Sequence, residues 1–427
     1  MLRENKTFRV LFFAYGLSTL GDWFDFIAVS ILLGFVWKAD PMTMALLPIA
    51  YAAPGIAFGQ LAGVLADRVN KVRLMIVMDV IQALCTLLLL AMPGSLSFLL
   101  VIALRSCASV FNDPAQQALT RKIVPEHQLL QATSLNGAVF QMGKLVGPLL
   151  GGIVAAFFAP GLCLAINACS FLLSAALLLP IAGVEKKAGA VGADGTVRAD
   201  AAPPSPTLRH SWQEGWQIFW QNRILLFSTV FSLLVALTIQ LADAQLPIIF
   251  REKAPLHPEM VGFAVSTIGL GALLTVTWLQ RWQEIRSYGW VLGGGVFLIG
   301  IGFTWIAVYP EDSGRYWLLP AALLAGIGTG LTTVGSNYLV QKETPPEALG
   351  RVRGIIGSLT STTFIVAPLL GGWLMTVWGP SLAFLRVGAA ISALGAGAVL
   401  LQRFIWGRAE EVGRPTLSEE LRRDATG

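Results

Sequence analysis

The chain has 427 residues, of which 55% are hydrophobic and only 13% charged, with a net charge of +5 and a mean hydropathy of +0.67. Ordinary soluble domains are roughly 25% charged, because a folded domain needs a polar surface. The composition therefore excludes an ordinary soluble globular protein. The modest positive charge does not indicate a nucleic-acid partner, since the placement of the bases matters more than their sum.

Twelve apolar windows follow one another along the chain. A helix needs roughly 20 apolar residues to cross about 30 Å of hydrocarbon. The windows, which we call spans 1 to 12, cover 10–36, 42–66, 73–92, 96–118, 132–158, 161–182, 223–250, 260–279, 288–309, 316–340, 354–377 and 381–404. They lack the two-residue alternation of barrel strands and are too long for them, so we predict an all-α membrane protein. Span 1 is too long for a cleaved signal peptide and is expected to remain as an anchor.

The basic residues predict the orientation of these spans. If both termini are cytoplasmic, most of the 30 Lys and Arg residues lie in inner loops and tails, and the outer loops hold only Lys38, Arg251, Lys253 and Arg315. Membrane proteins concentrate bases on the cytoplasmic side in this way. We therefore expect both termini inside.

One long break divides the spans into two groups. It is rich in Ala, Gly and Pro and predicts a flexible linker. Its last part places Trp212, Trp216, Phe219 and Trp220 on one helical face, after a capping-box pattern that starts at Ser211, and predicts an amphipathic helix at the membrane interface. The predicted domains are an N-terminal six-helix bundle (1–182), this linker (183–222), a C-terminal six-helix bundle (223–406) and a cytoplasmic tail (407–427).

A repeated pattern relates the two groups of spans. Gly147-Pro148-Leu149-Leu150-Gly151-Gly152 in span 5 returns in span 11 as Ala367-Pro368-Leu369-Leu370-Gly371-Gly372. Two homologous bundles in one membrane protein usually face each other across a substrate path. The repeat therefore favours transport.

Two spans carry glycines at a spacing of four residues. They are Gly55, Gly59 and Gly63 in span 2, and Gly143, Gly147 and Gly151 in span 5. This spacing puts the glycines on one helix face, where a neighbouring helix can come close. Static helix packing and a sliding contact between moving bundles both fit the pattern.

The turn after span 2 is short and charged. Asp67 near a helix start, with Arg68 and Lys71 beside it, predicts a switchable ion-pair cluster at the inner surface. We expect Asp113 on span 4 to join this cytoplasmic gate, together with Arg351 and Arg353 at the start of span 11. Asp79, early in span 3, is assigned to the same cytoplasmic charges.

At these residues the chain resembles the major facilitator superfamily. The turn matches the family's signature Gly-x-x-x-Asp-Arg-x-Gly-Arg-Lys through Asp67-Arg68, and Asn70 stands where the glycine would be, a residue that tolerates the left-handed turn. Span 5 matches the antiporter motif Gly-x-x-x-Gly-Pro-x-x-Gly-Gly at every defined position: Gly143, Gly147, Pro148, Gly151 and Gly152. Asn112-Asp113-Pro114-Ala115 is similar to the branch that holds macrolide-efflux and enterobactin-exporter proteins. The resemblance implies two pseudo-symmetric six-helix bundles and export by a drug:proton antiporter.

Ionisable groups at bilayer depth are candidate functional residues, because a charge there costs several kcal/mol unless it is paired or hydrated. Asp22 and Asp25 share a face of span 1, and Asp25 lies about 16 Å and Arg105 about 14 Å from the outer ends of their helices. The resemblance places spans 1 and 4 at the central cavity, so a carboxylate–arginine site and a permanent structural ion pair are both open. Lys144 faces an anionic substrate or pairs with Asp22 or Asp25.

The remaining intramembrane charges are Asp243 on span 7 and Arg386 on span 12, both in the outer third. We assign Asp243 to the substrate and proton pathway and expect Arg386 to extend towards the outer surface. The four cysteines fall within spans and imply no disulfide framework. The sequence shows no phosphate-binding loop, metal-ligand cluster or catalytic nucleophile, so we expect no cofactor, no metal and no enzyme activity.

The leading hypothesis is a secondary exporter in the bacterial inner membrane that works as a monomer. Protons taken up by Asp22, Asp25 or Asp243 would compete with a cationic or amphipathic small molecule of drug, macrolide or siderophore type, while two bundles rock within the surrounding lipid. One alternative is a lipid or lysolipid translocase of the same fold. Another is a membrane sensor that transports nothing.

Overall fold

The computed structural model describes residues 5–183, 223–282, 284–285, 287–310, 314–344 and 349–406. Within them, twelve helices are long and apolar enough to cross a membrane. Spans 1 to 12 are Lys6–Ile31 (continued by a π-helical turn, Leu32–Val36), Pro41–Arg68, Lys71–Leu89, Ser95–Ile123, Glu126–Phe157, Pro160–Leu178, Arg223–Asp243, Glu259–Leu279, Gly294–Val308 (preceded by a π-helical turn, Gly289–Gly293), Leu318–Glu343, Leu349–Trp378 and Pro380–Leu400. The predicted interfacial helix and the tail after 406 lie outside the described residues.

Span 7 is shorter than the apolar window predicts. It ends at Asp243, and a separate helix, Leu246–Lys253, follows after a turn. In this turn the backbone N–H of Gln245 donates to the carbonyl of Ala242 at 2.9 Å. Pro247 stands in the first turn of this short helix, where its missing N–H costs nothing. The window 223–250 had merged two helices because the second is as apolar as the first.

Polar side chains fix where several spans begin. Asn5, Asp40 and Asn70 each accept a hydrogen bond from a backbone N–H in the first turn of spans 1, 2 and 3, a capping interaction worth about 1 kcal/mol. Asn70 has φ −65° and ψ 114°, so it is extended and not left-handed. The expectation of a left-handed turn there was wrong, because the asparagine is the N-cap of span 3.

The two groups of six spans pack with the same pattern, which confirms the predicted pseudo-symmetric fold. In the first bundle span 1 packs on spans 5 and 6, span 2 on span 4, and span 3 on spans 4 and 6. In the second bundle span 7 packs on span 11, span 8 on span 10, and span 9 on spans 10 and 12. The bundles meet through spans 2 and 11 and through spans 5 and 8.

These contacts between bundles lie at one end of the molecule. Span 1 begins and span 12 ends on the same side, which we call the terminus side, and the opposite side is the far side. On the far side Gly152 of span 5 packs against Gly262 of span 8, and Gly372 of span 11 packs against Pro41 of span 2. The largest apolar core crosses between the bundles here, since it includes Leu33, Phe250 and Met375.

Towards the terminus side the same helix faces have no neighbour. Gly59 and Gly63 of span 2, and Gly354 and Gly357 of span 11, have no other atom within 4 Å of where a Cβ would stand. Helical periodicity puts them on the faces that make contact at the far side, by Ala45 and Gly372. The bundles therefore diverge, and the space between them opens to the terminus side.

Candidate functional site

A buried ion pair lies inside the first bundle. Asp25 of span 1 is fully buried and Arg105 of span 4 is 4% exposed. A guanidinium Nη1 of Arg105 donates to Asp25 Oδ2. The same guanidinium donates to the Tyr51 hydroxyl at 3.2 Å and to Thr86 Oγ1 at 3.4 Å, and Asn167 Nδ2 donates to Asp25 Oδ2 at 2.9 Å. Five spans thus contribute to one polar cluster.

This cluster contains more acid than base. Asp22, three residues before Asp25, is half-buried and interacts electrostatically with both Asp25 and Arg105. Asp25 Oδ1 is buried without a hydrogen-bond partner. Two carboxyl groups therefore share one guanidinium. A proton or a cationic ligand would balance the remaining charge, because an uncompensated charge in a low-dielectric interior costs several kcal/mol.

Aromatic side chains connect this cluster to Lys144. The ring centroids of Trp23 and Phe26 are 6.0 Å apart, those of Trp23 and Phe140 5.8 Å, and those of Phe26 and Tyr51 6.1 Å. We call these four residues the aromatic strip. The Arg105 guanidinium lies 5.8 Å from the Tyr51 ring and the Lys144 ammonium 5.8 Å from the Trp23 ring. The strip offers apolar area with a cation at each end.

Lys144 and Asp243 are both exposed and belong to different bundles. The ammonium of Lys144 lies over Trp23 and not in a salt bridge with Asp22 or Asp25. Asp243 is the last residue of span 7, and Lys144 is the basic group that interacts with it electrostatically. Asp243 and Lys144 therefore carry opposite charges on the two bundles. Arg386, the other predicted intramembrane charge, packs its guanidinium over the Trp378 ring, 4.6 Å from the ring centroid.

The span-5 motif makes contacts in two directions. A Cβ on Gly147 would lie 2.5 Å from the Trp23 Cβ, and one on Gly151 would lie 2.6 Å from the Phe24 carbonyl oxygen; a Cβ on Gly143 would lie 3.1 Å from Trp23. These three glycines pack on span 1 within their own bundle. Gly152 and the carbonyl of Pro148 face Gly262 across the two bundles. Leu145, inside the motif, also meets span 8, since a Cβ on Gly269 would lie 3.3 Å from its side chain.

The residues of the predicted gate lie at the open terminus side. Arg68, Asp113 and Arg353 are exposed there, and Lys71 begins span 3. The side chains of Asp67 and Arg351 lie outside the described residues. The gate therefore stays a prediction. Asp79 does not join it, because its carboxyl is buried inside the first bundle beside Asn112 and Ser174.

A polar contact closes the far side. Arg251 of the short helix donates to the carbonyls of Gly34 at 2.6 Å and Ala39 at 3.2 Å. Gln245 donates to the carbonyl of Pro41 at 3.0 Å. We call these contacts of Arg251 and Gln245 the far-side seal. Both side chains come from the second bundle and all three acceptors from the first, so the seal stabilises the closed far side.

Sequence reasoning missed several members of these two sites. Asn167, Tyr51 and Thr86 are uncharged, and the search for residues at bilayer depth had considered only charges. Asn167 was within reach of the same argument, since an amide in an apolar helix also requires a partner. Arg251 had been counted only as an outer-loop base. Nothing in the sequence showed that it reaches the end of span 1.

Two six-helix bundles around a charged, one-sided opening define the class of a membrane transporter. The family model of the Major Facilitator Superfamily matches residues 11–253 and again 244–427, and the chain belongs to this family. Its members are transporters and not enzymes. With relatives in bacteria, the twelve apolar helices identify a multi-pass protein of the bacterial inner membrane.

Individual relatives agree with this assignment. The chain is 29% identical to the MFS-type transporter YfiS of Bacillus subtilis (strain 168) over 410 residues, which are 92% of this chain and 93% of YfiS. It is 21% identical to Macrolide efflux protein A of Streptococcus pyogenes, over 82% of this chain and 85% of that protein. The crystal structure of the nucleoside transporter NupG superimposes with a TM-score of 0.68 at 12% identity, over 92% and 98% of the two chains. The chain is thus a transporter of small molecules with efflux proteins among its relatives.

Proposed function

We propose that the protein exports small cationic or amphipathic molecules in exchange for protons, by alternating access of one cavity between the two bundles. The observation that carries the proposal is the cluster of Asp22, Asp25 and Arg105, in which two carboxyl groups share one guanidinium. Either a proton or a cationic cargo neutralises the surplus acid. Because each removes the need for the other, their binding is mutually exclusive, which is the requirement for antiport.

The open side sets the direction of loading. With the termini in the cytoplasm, as the distribution of basic residues predicts, the cavity of this conformation receives cargo from the cytoplasm. The far-side seal and the contact of Gly152 with Gly262 keep the outer side closed. Breaking these contacts while the terminus side closes would release the cargo outside, in exchange for a proton.

The aromatic strip favours an amphipathic cargo. Trp23, Phe26, Tyr51 and Phe140 provide apolar area beside the surplus acid, a combination suited to a cation with a large apolar body. The name of the streptococcal relative supports a cargo of the macrolide type for this chain as well. One chain supplies both bundles and all the residues of the cluster, so we propose that a monomer in lipid is the working unit.

Transport in liposomes tests the proposal. The full-length protein is reconstituted with a cationic dye, ethidium, and a pH gradient is imposed. We expect dye flux to follow the gradient in the wild type and to lose that dependence in Asp25→Asn. Asp40→Asn is the matched control, because it makes the same chemical change at an exposed cap that asparagine serves equally well. Flux that ignores the gradient in the wild type, with ethidium and with erythromycin alike, refutes proton coupling.

A further inference from the structure

Three helices of the first bundle carry polar residues at the same spacing. In each pair the two residues are seven positions apart, which is two helical turns and about 10 Å along the axis, on one face. The pairs are Asp79 and Thr86 on span 3, Arg105 and Asn112 on span 4, and Asn167 and Ser174 on span 6. They form two polar layers. The upper layer, around Asp25, is nearer the far side, and the lower layer, around Asp79, is nearer the terminus side.

The lower layer contains an acid and no base. Asp79 is 2% exposed. Its Oδ1 accepts from Asn112 Nδ2 at 2.7 Å, and its Oδ2 lies 2.7 Å from Ser174 Oγ. No Lys, Arg or His side chain in the described part of the chain forms a salt bridge with it. Asp25 in the upper layer has Arg105, whereas Asp79 has only an amide and a hydroxyl.

The neighbouring charges add to the cost of ionising Asp79. From span 1 the carboxyl of Asp22 interacts with it unfavourably. From span 4, Asp113 is the residue next to Asn112, and Arg105 is held by Asp25 in the other layer. Span 6 presents Asn167, Ser170 and Ser174, none of which is charged. A carboxylate in these surroundings would lack the counter-charge that buried ions require.

A protonated Asp79 satisfies both oxygens of its own carboxyl, while Asn112 Oδ1 stays without a hydrogen-bond partner. Its O–H donates to Ser174 Oγ, while its carbonyl oxygen accepts from Asn112. The Ser174 hydroxyl is then free to donate to the carbonyl one turn earlier in span 6, as serine commonly does in helices. If the proton leaves, the same two neighbours donate to the carboxylate. The site therefore holds the acid and tolerates its loss for a short time.

Exchangeable groups lie between the two layers. Asn167, which donates to Asp25, accepts from Ser170 Oγ at 3.0 Å, and Ser170 is one turn from Ser174. On span 3, Gln82 lies between Asp79 and Thr86 and is 2% exposed, with its amide nitrogen unpartnered. A proton leaving Asp79 therefore has polar groups on the way to the upper layer.

We propose that Asp79 is a second proton-holding carboxyl of the transport cycle, which still holds its proton when the cavity opens to the terminus side and passes it to the carboxylates of the upper layer once these have released their own proton to that side. The proton moves as H⁺ from the Asp79 carboxyl to Asp22 or Asp25, and no other bond changes. The inference rests on the proposed proton coupling. It raises the number of protons that one cargo molecule can exchange for from one to two.

Infrared spectroscopy of the purified full-length protein tests the protonation directly. We expect a wild-type C=O stretching band of a protonated carboxyl at neutral pH that shifts in D₂O and is missing from Asp79→Asn. Ser174→Ala removes one hydrogen bond and should shift the band without removing it, which guards against a general folding defect. Asp40→Asn is the control and should leave the band unchanged. A difference spectrum between wild type and Asp79→Asn without this band overturns the inference.

Transport stoichiometry separates this inference from the proposed function. Each proton exchanged makes the equilibrium cargo gradient change tenfold per pH unit. We expect about a hundredfold change in the wild type and about tenfold in Asp79→Asn, which keeps Asp25. A wild type that does not respond to pH refutes the proposed coupling itself. A wild type that responds, with the same ratio in Asp79→Asn, refutes only the role of Asp79.

Discussion

The contact between Gly152 and Gly262 on the far side allows a sharp test of alternating access. A Cβ added at Gly262 would lie 2.6 Å from the carbonyl oxygen of Pro148 and 2.7 Å from the Cα of Gly152. Both are backbone atoms and cannot rotate away, so spans 5 and 8 must separate to reach an ordinary contact of 3.4–4 Å. Overpacking of this kind costs about 1–3 kcal/mol. Because the cost falls only on the conformation with the far side closed, Gly262→Ala should shift the equilibrium between conformations by about 5- to 150-fold.

Double electron–electron resonance (DEER), which measures the distribution of distances between two spin labels, detects this shift. Labels at Lys38 and Leu256, exposed residues of far-side loops on the two bundles, should show a larger population of long distances in Gly262→Ala than in the parent. Gly63→Ala is the matched comparison, since Gly63 has no neighbour in this conformation and its face would meet span 11 only when the terminus side closes. It should leave the distances unchanged or shorten them. Unchanged distances in Gly262→Ala would contradict the assignment of this contact to one conformation.

Three further outcomes are expected. Arg251→Gln removes the charged donor to the carbonyls of Gly34 and Ala39. Since hydrogen bonds from a charged group contribute about 1.5–3 kcal/mol, the spin labels at Lys38 and Leu256 should move apart in this variant. Equal distances in variant and parent would exclude a role for the far-side seal. Gly147→Ala strains a contact within one bundle, so it should lower the melting temperature in detergent without changing the label distances, and a change in the distances would show that the contact also varies between conformations. Asp40→Ala removes the cap of span 2 and should cost about 1 kcal/mol of stability, whereas Asp40→Asn should not. The hydrogen bond from Thr43 lowers the pKa of Asp40, so this stabilisation is present above the unfolded-state pKa and is lost as the pH falls through the folded-state value; a difference between Asp40→Ala and wild type that grows at acid pH would contradict it.

The sequence was sufficient for the helices because bilayer thickness fixes how long an apolar run must be. The ends of most spans agree with the predicted windows to within several residues. The break between Asp243 and Leu246 was missed, since Pro247 is compatible with the start of a helix and the residues around it are apolar. Composition alone does not separate one bent helix from two.

For the site, the sequence indicated which residues matter better than it indicated what they touch. The depths of Asp25 and Arg105 matched, and the structure brings the two together. The spacing of four identified Gly143, Gly147 and Gly151 as a contact face, but only the structure shows that this face packs on span 1. Asp79 was assigned to the cytoplasmic charges because it lies early in span 3. The neighbours that bury it, Asn112 and Ser174, come from two other helices.

Under the proposed coupling, a few protons must be enough to change the conformation. Where Gly152 meets Gly262 and Gly372 meets Pro41, the helices touch through small residues, but separating the far side also exposes the apolar core around Leu33, Phe250 and Met375. The two conformations differ little in packing energy if closure of the terminus side, where Gly59, Gly63, Gly354 and Gly357 would make contact, buries a comparable area. A difference of about 1.4 kcal/mol, which is one proton over one pH unit, then changes their ratio tenfold. Bulky residues on these faces would make the packing term dominant, and the charges on Asp22, Asp25 and Asp79 would no longer decide the conformation.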